Sequence, residues 1–174
     1  TLFEVDSDDD SGFDFTPRQD VKLANFTFIQ RKASDKVIHL RGGPDAALLN
    51  GIVVGPGHCL DIDQAETVQA ANAALDELGP PRIQSVVGSC ADPAGALDDD
   101  SDTFEATAVN AAGNANIDFA FTSSLVSLFI NGTNEAGVTP TANITSFSPY
   151  FMQVDYIGAV RDINDLWYQS WSCN

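Results

Sequence analysis

The chain has 174 residues, 44% of them hydrophobic, which is enough for one domain with a sizeable core and argues against wholesale disorder. Eight Lys and Arg oppose 25 Asp and Glu, a formal net charge of −17. That balance excludes sequence-independent nucleic-acid binding, which needs cations to displace counterions, and disfavours docking on an anionic membrane. No apolar run approaches the ~20 residues of a membrane-spanning helix.

The charge is regional: −6 over residues 1–20, +4 over 21–41 and −15 over 42–174. The first segment is acidic, yet Leu2, Phe3 and Val5 precede its Asp run and Phe13 and Phe15 follow it. A purely solvating tail has little use for aromatics. The pattern predicts an extended acidic N-terminal arm, 1–20, ahead of a single β-rich globular domain, 21–174. Leu2, Phe3, Val5, Phe13 and Phe15 are its candidate assembly anchors. Strand addition to a neighbour's sheet edge uses such alternate side chains for register and the backbone for affinity.

Phe26–Ile29 and Val37–Leu40 read as strands within the basic region. Gly42-Gly43-Pro44 breaks the chain. The apolar run 47–54 carries Asn50-Gly51 and reads as a hairpin or a bulged strand. Residues 63–78 are predicted to form one helix, with Asp63 and Glu66 as a capping-box variant and Val68, Ala71, Leu75 and Leu78 on one face. Gly79-Pro80-Pro81 ends it. Ile83–Val87, the alternating runs at 104–108 and 117–121, Leu125–Ile130, 144–147 and 151–160 all read as strands. Their spacing predicts a mainly β fold, an antiparallel sandwich or jelly roll with one packed helix. No internal repeat is evident.

The chain begins at Thr1 and its single methionine is Met152, which reads as a processed product that has lost a secretory signal peptide. In an oxidising compartment Cys59 and Cys90 are the first choice for a disulfide, leaving Cys173 over. Asn25, Asn131 and Asn143 begin N-x-Thr sequons and are candidate glycosylation sites. Asp8 and Asp10, and Asp98, Asp100 and Asp102, have partial calcium-loop spacing. Calcium is therefore the one candidate metal, and no other cofactor is expected. His39 reads as a packed core residue and His58 as a loop residue beside a cysteine. No G-x-S-x-G, H-E-x-x-H or P-loop motif occurs.

The function expected from these features is non-enzymatic. The chain reads as a secreted subunit of an extracellular fibre, pilus-like filament or surface assembly, partnered by copies of itself and carrying N-linked glycans. The alternative is a secreted carbohydrate-binding or adhesion module, calcium-assisted or using Trp167, Tyr168 and Trp171. The third reading is a carboxylate-dependent hydrolase, which requires a concave pocket with two convergent acids, at least one of them with a perturbed pKa.

Overall fold

The computed structural model describes residues 1–7, 13–33, 35–91 and 103–171. It replaces the expected antiparallel sandwich with two all-parallel sheets and few helices. The strands are β1 (Phe3–Asp6), β2 (Asp20–Ile29), β3 (Lys36–Arg41), β4 (Asp45–Gly55), β5 (His58–Ile62), β6 (Arg82–Cys90) and β7 (Ala115–Asp118). Sheet A has the order β1-β3-β5 and sheet B the order β2-β4-β6-β7. Chain order alternates between the sheets, so β1 and β2, β3 and β4, and β5 and β6 form three stacked coils of a solenoid. In the fourth coil a short helix, α1 (Phe104–Val109), stands where the sheet A strand belongs, and β7 follows it.

The long strands bend. Asn25, Asn50, Ser85 and Asn116 have φ of 53°, 52°, 56° and 56°, the left-handed region. Each falls between flanking register pairs of sheet B, so the four stack in one row. Asn tolerates this conformation because its short polar side chain bonds locally. Asn50 Nδ2 donates to Asn25 Oδ1 at 3.5 Å, and Asn116 Nδ2 donates to Ser85 Oγ at 3.2 Å. One left-handed residue switches the in–out parity of the strand. In β4, Ala46, Leu48 and Val53 join the core between the sheets. Ala47, Leu49 and Ile52 face outward, against other partners.

Those outward positions are apolar because the last third of the chain covers them. Ala142, Ile144, Phe147 and Phe151 pack on Ala47 and Leu49. Ile157, Phe121, Leu125 and Val138 pack on Ile52 and Val87. The segment is held by its backbone as well: Gly158 N–H donates to Asn50 O at 2.9 Å, and Ala159 N–H to Thr27 Oγ1 at 2.9 Å. The strands expected at Leu125–Ile130, 144–147 and 151–160 are instead mostly irregular, with a 3-10 turn at Ile144–Ser146 and an antiparallel bridge between Val126 and Ile130. Val126 and Leu128 are exposed.

Two further expectations are corrected. Residues 63–78 form no α-helix, only 3-10 turns at Ala65–Thr67 and Ala73–Leu75. A helix would need to bury its apolar stripe, and Leu78 stays 64% exposed while Glu77 is buried. Gln64 and Asp76 adopt positive φ and break the run. Residues 104–108, expected as a strand, are α1. The Asn50-Gly51 pair makes no hairpin. Asn50 is the bend, and Gly51 leaves room for a ring, since a Cβ there would sit 2.1 Å from Phe26 Cζ.

The bend row should be testable by unfolding in denaturant. Asn50→Val places a β-branched residue at positive φ and removes a buried hydrogen bond, for an expected loss of about 2–3 kcal/mol. Asn50→Gly keeps the conformation and should cost about 1 kcal/mol. Equal losses would show that backbone conformation is not what Asn50 supplies.

Candidate functional site

Three features gather chemistry-bearing residues: the first coil's edge, the outer face of sheet A, and a cavity beside the turns that lead into sheet B.

The two ends of the solenoid differ. At the far end α1 closes the stack. Phe104 and Ala108 pack on the core, and the Glu105 carboxylate accepts the Ile62 N–H at 2.6 Å, occupying an edge group of β5. At the near end, β1 and β2 have strand partners on one side only among the described residues. Phe3, Val21, Leu23 and Phe28 cover the end of the core and are only partly buried. Their rings form a short stack, with centroids 5.1 Å apart for Phe3–Phe28 and 4.8 Å for Phe26–Phe28. From Val21 to Ser34 the sequence holds Lys22, Arg31 and Lys32 and no acid, an exception in a chain of net charge −17.

This edge redraws the expected arm. Phe3–Asp6 is a strand of sheet A, and Val5 is buried in the core, so these anchors fold onto their own chain. Leu2 and Phe15 are exposed, and Phe13 is partly buried. Arg18, expected in the arm, is buried.

On the outer face of sheet A the parallel register aligns Glu4 with His39 and His39 with Asp61. His39 and Asp61 are buried, and Asp63 follows just beyond β5. His39 Nε2 lies 2.8 Å from Asp63 Oδ2 and 4.0 Å from Asp61 Oδ2, while Nδ1 lies 3.6 Å from Glu4 Oε1. Lys36 contacts the Asp61 carboxylate. Arg41 pairs with Asp6 at 3.2 Å on the same face. His39 is thus buried with its ring nitrogens facing acidic partners, and Asp63 serves it instead of capping a helix.

The third feature is a buried carboxyl pair, Asp45 and Glu77, beside a cavity of about 710 Å³ lined also by Arg18, Asp20, Asp76 and Leu78. Two convergent acids in a concavity are what the hydrolase reading requires. Three of their four oxygens, however, have structural partners. Glu77 Oε1 accepts Gly79 N–H at 2.9 Å, and Oε2 accepts Gln69 Nε2 at 3.1 Å and contacts Arg18. Asp45 Oδ1 accepts Leu78 N–H at 3.0 Å. Arg18 also donates to Glu66 O at 2.8 Å. The network clamps the 63–81 loop onto the turns of the first two coils. Burial pushes the Asp45 carboxyl up to about 6, against the Leu78 hydrogen bond, and the nearby Glu77 charge adds to the rise.

The other candidate residues are dispersed. Asp8, Asp10, Asp98, Asp100 and Asp102 lie outside the described residues, as does Cys173. Cys59 and Cys90 form the expected disulfide, joining β5 to the end of β6. Asn25 Nδ2 donates to Tyr156 O and Gly158 O, and buried Asn131 Nδ2 donates to Ile157 O. A glycan replaces one Nδ2 hydrogen, which would cost Asn25 one of its two bonds and has little room at buried Asn131, whereas Asn143 is exposed. Trp167 and Tyr168 stand edge-on at 89° and so do not share a flat face, Trp167 Nε1 donates to Ala159 O, and Trp171 is exposed. Among the described residues no helix is long and apolar enough to cross a membrane. No protein-family model, curated protein or solved structure is detectably similar to the chain.

The Asp45 clamp gives a pH signature. Its folded value lies above the unfolded one, so the native state holds a proton that the unfolded chain has lost between about pH 4 and 6. Asp45 therefore lowers stability as pH rises through that window, by up to roughly 3 kcal/mol. Asp45→Asn mimics the protonated acid. Its stability relative to the native chain should rise between pH 4 and 7, measured by denaturant unfolding at each pH.

Proposed function

We propose that the chain is a non-enzymatic structural module: the closing end of a parallel β-solenoid that associates with a second copy of itself through the edge of its first coil. The observation that carries this reading is the difference between the ends. In sheet A one end is closed by α1 and Glu105 and in sheet B it finishes on the short, exposed β7, while the other end leaves two strand edges and four partly buried apolar side chains at its core. Edges of this kind are templates for pairing unless they are blunted or covered.

The closed end also sets the type of assembly. Filaments need two complementary ends so that each copy can receive the next. With one end capped, pairing terminates at two copies. The proposal is accordingly a dimer built through the edge, in place of an open fibre built by an arm. The disulfide fits an extracellular or other oxidising setting.

Sedimentation velocity across a range of concentrations tests the reading. The oxidised chain should show a concentration-dependent dimer. Val21→Glu and Leu23→Glu together should weaken it at least about tenfold, because in a contact where the same patch meets itself they set carboxylates against carboxylates in place of apolar side chains. A monomer at every concentration, or larger open polymers, would overturn the proposal.

A further inference from the structure

We infer that the outer face of sheet A holds a divalent transition-metal site, with His39, Asp61 and Asp63 as ligands and Glu4 positioning the imidazole. Parallel strands stack equivalent residues about 4.8 Å apart. The register of β1, β3 and β5 therefore brings Glu4, His39 and Asp61 into one row, to which Asp63 is added by the turn after β5.

The geometry suits a small ion. One donor atom from each of His39, Asp61 and Asp63 falls within 4.8 Å of the others. An ion with ligand bonds near 2.0–2.2 Å in tetrahedral array holds its donors about 3.3 Å apart. The observed 2.8 Å and 4.0 Å separations from His39 Nε2 bracket that value, so small side-chain rotations close the site. Asp61 and His39 are anchored by burial, while Asp63 is half-buried and can adjust.

The donor set selects the metal class. An imidazole nitrogen with two carboxylates suits zinc and its neighbours, whereas calcium prefers oxygen alone. The second nitrogen completes the argument. A ligating histidine usually presents its other N–H to a carboxylate, which fixes the ring and raises its basicity. His39 Nδ1 faces Glu4 Oε1 at 3.6 Å. Charge points the same way. Three acidic side chains, Glu4, Asp61 and Asp63, face His39, and Lys36 contacts one of them, an acidic excess that a divalent cation offsets. Lys36 then acts as the competitor, occupying Asp61 when no metal is bound.

Isothermal titration of the oxidised, EDTA-treated chain with zinc chloride tests this site independently of the dimer. One ion per chain is expected. Asp63→Asn and His39→Gln should each weaken binding at least tenfold. Glu4→Gln should weaken it about tenfold, the scale of a lost ligand-orienting carboxylate. Lys36→Met should tighten it. Circular dichroism checks that each variant folds, and half-exposed Asp63 keeps the test decisive if the His39 variant does not. No binding, or binding unchanged in Asp63→Asn, would overturn the assignment and mark any heat as diffuse association with surface carboxylates.

Discussion

Neighbouring strands in both sheets run parallel and in register, so side chains that face the same way pile up along the coil axis. Almost every other feature depends on that alignment. It stacks Phe3 and Val5 with Ile38 and Leu40, and these with Leu60 and Ile62, into one apolar wall. On the opposite face of the same strands it stacks polar residues into the row around His39. A single-residue slip in β3 would exchange the two sets, burying His39 in the wall and exposing Leu40. Register, core and charged row are one constraint seen from different sides.

The left-handed row in sheet B does for the coil what a corner does for a box. It turns each long strand through a bend without ending it, and it inverts the parity of the residues that follow. Parallel sheets are covered on both faces, usually by crossover helices. Here the outer cover is an irregular polypeptide, and it works because its polar groups are met individually. Glu135 shows how. Burial opposes its ionisation, but the Ser124 hydroxyl and backbone N–H and the Gly132 N–H all donate to it, and together they hold its carboxyl below the ordinary range.

Much of the strand content was legible in the sequence, and its topology was not. Phe26–Ile29, Val37–Leu40 and Ile83–Val87 fall within β2, β3 and β6. Alternation identifies a strand but carries no direction, so parallel and antiparallel pairing look alike at that level. The repeat escaped detection because the coils differ in length. Register partners lie 35 and 22 residues apart in sheet A, and 25, 35 and 31 apart in sheet B. Residues 63–78 misled for a different reason. Their helical spacing was real, but buried Glu77 and Arg18 decide how that loop sits, and the apolar stripe does not. The Asn50-Gly51 pair was visible as a break in an apolar run, and Asn25 could have been matched to it at a spacing of 25 residues. The row around His39 could not be read, because its members come from three strands and meet only through pairing.

The disulfide joins the start of the third coil's sheet A strand to the end of its sheet B strand. It therefore fastens that turn of the solenoid into a covalent hoop. Tension applied at the amino terminus would peel the first two turns away strand by strand. It would stop at the hoop, whose residues cannot be drawn out straight. The coil closed by Cys59 and Cys90 thus keeps its length while the two turns before it give way.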